Sequence, residues 1–138
     1  MAKTKRKPID KEHTVDKDIE HLLEPFRSII KQLAVDLKND PETKMLEIFE
    51  TRRSLTRQEY LYKNKRSKTM RSKHLIGLAC DFVPHGVDGW SWGDRDVNRS
   101  GTTADEKRAF VRMREIVDEK YSKLKFLGEW DMAHIEMR

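Results

Sequence analysis

The chain has 138 residues, which suits one domain, and its 29 Lys and Arg residues against 24 Asp and Glu residues give a formal net charge of +5. A single cysteine, Cys80, excludes a disulfide framework and an all-cysteine zinc site. No apolar run approaches the roughly 18 residues of a membrane span, so we expect no stable membrane insertion. The excess of basic over acidic residues favours an anionic partner, a class that includes nucleic acid, lipid and cell-wall polymers.

The first half of the chain predicts an arm, a helix, a strand and a loop. Residues 1–15 are polar and basic and are expected to form a mobile arm. Apolar residues spaced by three and four over 19–37 predict a helix, which either starts or kinks at Pro25. Residues 45–51 predict a strand. Residues 63–73, with six basic residues and no acid, predict a loop.

The second half predicts the centre of a sheet and a second helix. Residues 75–83 are nearly all apolar and predict a central strand. Residues 84–101, rich in Gly, Asp and Ser, predict a long loop. A capping box at 103–106 predicts the start of a helix, and 126–129 and 133–137 predict two short strands. The order of these helices and strands along the chain predicts an α+β domain spanning 1–138, with a mainly antiparallel sheet and flanking helices.

Asp81 is the most informative residue, because it interrupts an apolar strand. A buried carboxylate must be paired, protonated or bound to a metal ion. His74 lies seven residues earlier, with Gly77 between them allowing a tight bend or a close backbone approach, and His134 follows Asp131 by three in the tail. These residue types could supply three ligands of a zinc site and an acid that holds the attacking water. The spacing alone leaves open a structural His–Asp hydrogen bond.

Two neighbouring residues have expected roles beside this set. Cys80 precedes Asp81 in the strand, so the two side chains should face opposite sides, and Cys80 is expected in the core rather than as a nucleophile. Glu136 follows His134 by two residues and should share its face of the sheet. That position suits either a hydrogen-bond partner of the histidine or an exposed residue.

Three segments resemble the motifs of one enzyme family. Residues 72–81, SKHLIGLACD, resemble the S-x-H-x-x-G-x-A-x-D signature of zinc peptidases that cut the stem peptides of peptidoglycan. That family includes D-Ala-D-Ala dipeptidases and carboxypeptidases, and phage endolysins that are L-alanyl-D-glutamate endopeptidases. Residues 131–136, DMAHIE, resemble its second motif, and residues 50–58, ETRRSLTRQ, resemble the E-T-x-R-[ST]-x-x-R-Q segment of the endolysin branch. The motifs occur in family order over 45–138.

The resemblance implies a small hedgehog/D-Ala-D-Ala-peptidase-like fold with Zn²⁺ held by His74, Asp81 and His134. It places Asp131 at the position of the general base, where many relatives have glutamate. An aspartate is one methylene shorter, and the endolysin branch tolerates it.

The resemblance also implies two residues that meet the substrate. Arg53 matches an arginine near the scissile carbonyl, with a catalytic and substrate-binding role. Its neighbour Arg52 leaves open which of the two faces the site. Ser72 matches a substrate hydrogen-bond donor, and its alternative role is to cap a turn.

The function these residues imply is a zinc endopeptidase that hydrolyses the L-Ala–D-Glu bond of peptidoglycan as a phage endolysin. We expect a monomer that accumulates in the host cytoplasm, because no secretory signal is visible, and that reaches the periplasm and wall through a holin or a similar route. The alternative enzyme is a D-Ala-D-Ala carboxypeptidase. The alternative of another class is a basic nucleic-acid-binding protein, but no nucleic-acid motif is present, so we expect no nucleic-acid partner.

Overall fold

The structure, a computed structural model, describes residues 15–86, 89–90, 103–128 and 131–138, and these residues form helices packed around an antiparallel sheet. The α+β class predicted from the sequence is confirmed. The predicted arm lies outside the described residues except for its last position. The helices are α1 (Phe26–Asn39), α2 (Leu55–Lys63) and α3 (Ala104–Lys120), and the strands are β1 (Leu46–Glu50), β2 (Ala79–Gly86), β3 (Gly89–Trp90), β4 (Leu124–Lys125) and β5 (His134–Met137).

The sheet runs in the order β1–β2–β5–β4 with antiparallel neighbours, and β3 pairs with the end of β2. The prediction of β2 as a central strand is confirmed. The prediction of a loop from residue 84 is wrong at its start, because Pro84 still pairs with Leu46 and the N–H of His85 donates to the carbonyl of Met45. Most of the predicted loop, residues 91–101, lies outside the described part of the chain.

The start of β2 differs from the prediction by four residues. Residues Lys73–Ile76 form a 3₁₀ turn, and Gly77 ends it with φ +73°, a left-handed conformation that favours glycine. A Cβ atom at Gly77 would lie 3.2 Å from the carbonyl oxygen of His21, so the close backbone approach expected there is present. An apolar run alone does not reveal such a turn.

Helices α1 and α3 follow the predicted patterns. Helix α1 begins directly after Pro25, so the proline marks the start of the helix rather than a kink, and Ile19–His21 form a separate 3₁₀ turn. The capping box of α3 is formed by Thr103 and Glu106. The two helices bury one stripe each, made of Phe26, Ile30, Leu33 and Leu37 in α1 and Ala109, Phe110, Met113, Ile116 and Val117 in α3.

Helix α2 was not predicted, because it lacks an apolar stripe. Gln58 is its one buried residue, whereas Leu55, Tyr60 and Tyr62 are exposed. The local signal is at its start, where the hydroxyl of Ser54 accepts a hydrogen bond from the N–H of Arg57. Residues 51–54 connect the end of β1 to this helix.

The tail forms the remaining edge of the sheet. Strand β5 lies where it was predicted, but β4 comprises Leu124 and Lys125 rather than residues 126–129. Leu124 pairs with Met137 and is buried in the core, which explains why the strand forms there. Cys80 is also in the hydrophobic core, as expected, and burial raises the pKa of its thiol well above the usual value. None of the described helices has the length and apolar composition needed to cross a membrane.

Candidate metal centre

Three elements bring His74, Asp81 and His134 together. Asp81 in β2 is directly opposite His134, the first residue of β5, so the antiparallel register places their side chains side by side. His74 comes from the 3₁₀ turn that precedes β2. One ligand atom from each residue lies within 4.8 Å of the other two, and all three residues are buried.

The two imidazole rings converge on one carboxylate oxygen. Asp81 Oδ1 lies 3.3 Å from His74 Nε2 and 3.3 Å from His134 Nδ1. The ring centroids are 5.1 Å apart, and the ring planes meet at 71°. Each histidine therefore presents one nitrogen to the same small volume beside Asp81.

The outer nitrogen of each ring is held by an acceptor. His74 Nδ1 donates to the backbone carbonyl of Thr51 at 2.7 Å, and His134 Nε2 donates to Glu136 Oε1 at 2.8 Å. The sequence left two roles open for Glu136, a hydrogen-bond partner of the histidine or an exposed residue. The structure shows the first, since Glu136 is buried and bonds to His134. Metal-binding histidines typically donate their second N–H to a carbonyl or carboxylate in this way, which orients the inner lone pair.

The electrostatics of the cluster favour a positive charge at its centre. Burial alone would raise the pKa of Asp81, but His74 and His134 hold it well below its usual value. Burial lowers the pKa of His134, but hydrogen bonds to Asp81 and Glu136 outweigh that effect and raise it to about 9. Two imidazoles and one carboxylate also form the mixed N and O donor set that zinc sites use. The residues present therefore fit a divalent metal ion.

Replacing Glu136 is expected to weaken metal binding. In Glu136→Gln the amide can present its NH₂ group to His134 as well as its oxygen, so the imidazole loses its charged acceptor. Partners of this kind are worth roughly 10- to 100-fold in metal affinity. We expect a loss in that range by competition against a chelator. Glu47→Gln, which changes a half-exposed glutamate of β1, should leave the affinity unchanged, and an unchanged affinity for Glu136→Gln would contradict the role.

Asp131 lies beside this cluster, in the turn before β5. Its N–H donates to the carbonyl of Gly128 at 3.2 Å, and the residue is 4% exposed. Its charge acts on His134, where it contributes to the raised pKa. The position is compatible with the general base expected from the sequence, and that role remains a prediction.

Arg53 is buried, whereas Arg52 is exposed, so Arg53 is the arginine that faces inward. Two of its N–H groups bind the carboxylate of Glu50, at 3.1 and 2.8 Å, and a third donates to Gln58 Oε1 at 2.7 Å. Arg57 also binds Glu50, which is 1% exposed. We call Glu50, Arg53, Arg57 and Gln58 the arginine cluster.

The arginine cluster adjoins the metal centre. Glu50 lies opposite Asp81 where β1 pairs with β2, and the N–H of Arg53 donates to the carbonyl of His74 at 2.9 Å. Sequence reasoning named Glu50, Arg57 and Gln58 only as parts of a motif and assigned them no role. Their arrangement depends on the unpredicted helix α2, which returns Arg57 and Gln58 towards Glu50.

Removing the central charge of the arginine cluster is expected to destabilise the fold. Glu50→Gln removes the buried carboxylate that binds the guanidinium groups of both Arg53 and Arg57, and breaking a buried ion pair from one side costs about 3 kcal/mol or more. We expect that loss in the free energy of unfolding measured by urea denaturation. Glu42→Gln breaks the exposed pair with Arg108 and should have little effect. Equal effects of the two substitutions would contradict the importance of the buried cluster.

Ser72 acts as a cap in the structure. Its hydroxyl oxygen accepts a hydrogen bond from the N–H of His74 at 3.2 Å and so begins the turn that carries this histidine. This is the alternative role considered for the residue. Contact with substrate remains a prediction for Ser72.

Comparisons with known proteins find similarity in structure rather than in sequence. No family model matches the chain, and no curated protein matches it. A solved structure, the L-Ala D-Glu endopeptidase ChiX of Serratia marcescens, is similar with a TM-score of 0.59 and 23% sequence identity, over 94% of this chain and 93% of that chain. The two proteins share a fold, so the peptidase-like α+β fold expected from the motifs is confirmed.

Proposed function

We propose that this chain is a zinc-dependent endopeptidase that hydrolyses the L-Ala–D-Glu bond of peptidoglycan, with His74, Asp81 and His134 as the metal ligands. The observation that carries the proposal is the convergence of these three buried ligand atoms, with both outer histidine nitrogens held by acceptors. The choice of bond is supported by the motif at 50–58 and by the fold shared with an L-Ala D-Glu endopeptidase. The motifs also support the finer proposal of a phage endolysin.

The side chains around the centre can divide the work of hydrolysis. A zinc ion, when bound, supplies Lewis acidity that lowers the pKa of a water and polarises a carbonyl group. Asp131 accepts the proton of the attacking water and returns it to the leaving amine. Arg53 has five N–H donors, of which three bind Glu50 and Gln58. The other two can stabilise the negative charge that develops on the carbonyl oxygen.

Metal removal tests the proposed metal dependence. Protein treated with a chelator and dialysed should release no fragments from purified peptidoglycan, and added zinc should restore hydrolysis. Magnesium should not restore it, because that ion prefers oxygen ligands and octahedral geometry. Undiminished hydrolysis by protein shown by elemental analysis to be metal-free would contradict the proposal.

A further inference from the structure

One strongly charged surface has no role in the proposed chemistry. It consists of five exposed cations that follow one another closely in the chain, which we call the basic surface: Lys63, Lys65, Arg66, Lys68 and Arg71. No acid occurs between residues 63 and 73. Among the described residues, none forms an ion pair with Lys63, Lys65, Arg66 or Arg71. Lys73 is not part of the surface, because its ammonium group hydrogen-bonds the carbonyl of Met137 and lies 3.6 Å from Glu136.

The backbone beneath the basic surface is held in place at several points. The N–H groups of Arg66 and Ser67 donate to the carbonyl of Leu61. The buried amide of Gln58 donates to Ser67 Oγ at 2.9 Å and to the carbonyl of Thr69 at 2.6 Å. The cations are therefore presented from a structured segment rather than from a loop without internal contacts.

The same contacts join the basic surface to the metal centre. Gln58 accepts a hydrogen bond from Arg53, whose backbone N–H donates to the carbonyl of His74. At the other end of the segment, Lys73 contacts β5 beside Glu136, the partner of His134. The positive charges thus belong to a segment that Gln58 and Lys73 connect to the residues around the centre.

We propose that the basic surface binds the anionic stem peptides of peptidoglycan and so concentrates the polymer at the metal centre. The inference rests on the proposed function and adds a binding surface to it. Stem peptides carry free carboxylates, and a cluster of like charges raises the local concentration of an oppositely charged polymer. Exposed charges are screened over about 8 Å at physiological ionic strength, so the contribution is salt-dependent.

Nucleic acid is the competing partner for a basic surface. Helix α2 exposes Tyr60 and Tyr62 just before Lys63, and aromatic faces can stack on bases. Peptidoglycan is favoured because Gln58 and Lys73 connect the basic surface to the metal centre. The ligands of that centre fit a metal ion that could catalyse hydrolysis of the polymer. Binding to DNA is therefore measured as a separate outcome.

The test compares two triple variants of the full-length, zinc-loaded protein. The first, Lys63→Gln, Arg66→Gln and Arg71→Gln, removes three charges of the basic surface. The control, Lys44→Gln, Lys107→Gln and Lys123→Gln, removes three exposed charges elsewhere, and both variants change the formal net charge from +5 to +2. We expect the first to bind purified peptidoglycan at least about 10-fold more weakly at low salt, with the difference shrinking as salt rises. The control should bind nearly as the unmodified protein does.

Hydrolysis of a short soluble stem peptide separates this inference from the proposed function. Its kcat should be the same in both variants, because the metal centre is untouched. Binding of the first variant to peptidoglycan at the control's level would overturn the inference and leave the proposed function intact. So would a selective loss of DNA binding with peptidoglycan binding retained. Failure of the unmodified, zinc-loaded protein to cleave the soluble peptide would instead count against the proposed function.

Discussion

His74→Ala and His134→Ala are each expected to lose the bound metal ion and to lower peptidoglycan hydrolysis by more than about 100-fold. Removing a residue that only orients a metal ligand costs up to about 100-fold, and removing the ligand itself should cost more. Each substitution removes one of the three converging ligand atoms and leaves Asp81 buried with a single histidine beside it. Metal content by elemental analysis and the rate of fragment release from purified peptidoglycan measure the two effects.

A matched control separates loss of a ligand from loss of a histidine. His85→Ala removes an exposed histidine from the same strand as Asp81, and it should retain full metal content and activity. Circular dichroism identifies variants that have not folded. A folded His74→Ala or His134→Ala protein that keeps one metal ion per chain would show that the ligand assignment is wrong.

Asp131→Asn is expected to keep the metal ion and the fold but to lose most turnover. The amide has nearly the size of the carboxylate but cannot accept the proton of the attacking water, and general base catalysis contributes roughly 10²- to 10⁴-fold. The kcat for a soluble stem peptide and the metal content of the same preparation check both halves of the prediction.

The control for Asp131→Asn is Asp118→Asn, the same chemical change at an exposed position of α3. It should leave kcat unchanged. If the folded, metal-loaded Asp131→Asn protein hydrolyses the peptide at a rate close to that of Asp118→Asn, the general base lies elsewhere.

The residues of the metal centre could be predicted because Asp81 is chemically unusual in its strand. A carboxylate within an apolar run requires a partner, and the motif resemblance indicated His74 and His134. The physical reason for their meeting, the register that sets Asp81 opposite His134, appears only once β2 and β5 are paired. The turn that carries His74 could not be predicted, because its residues Leu75 and Ile76 are apolar and equally suit the start of the strand predicted over 75–83.

The arginine cluster could not be predicted, because it depends on tertiary contacts. Glu50 ends a short strand, where an acid is usually exposed, and nothing in the local pattern indicates that it is buried. Helix α2 has one buried residue and so gives no helical periodicity, yet its return past β1 brings Arg57 to Glu50. The carbonyl of Thr51 that orients His74 carries no sequence signal either, since every residue has a backbone carbonyl.

Mass spectrometry of the fragments that the zinc-loaded protein releases from purified peptidoglycan tests the central claim most directly. Hydrolysis of the L-Ala–D-Glu bond predicts peptides with a new N-terminal D-Glu, and glycan strands that retain L-Ala. The same products should be absent from a digest with the His134→Ala variant. Release of free D-Ala without new N-terminal D-Glu would identify a carboxypeptidase and contradict the proposed endopeptidase, and an unchanged polymer would contradict the assignment of a peptidoglycan peptidase altogether.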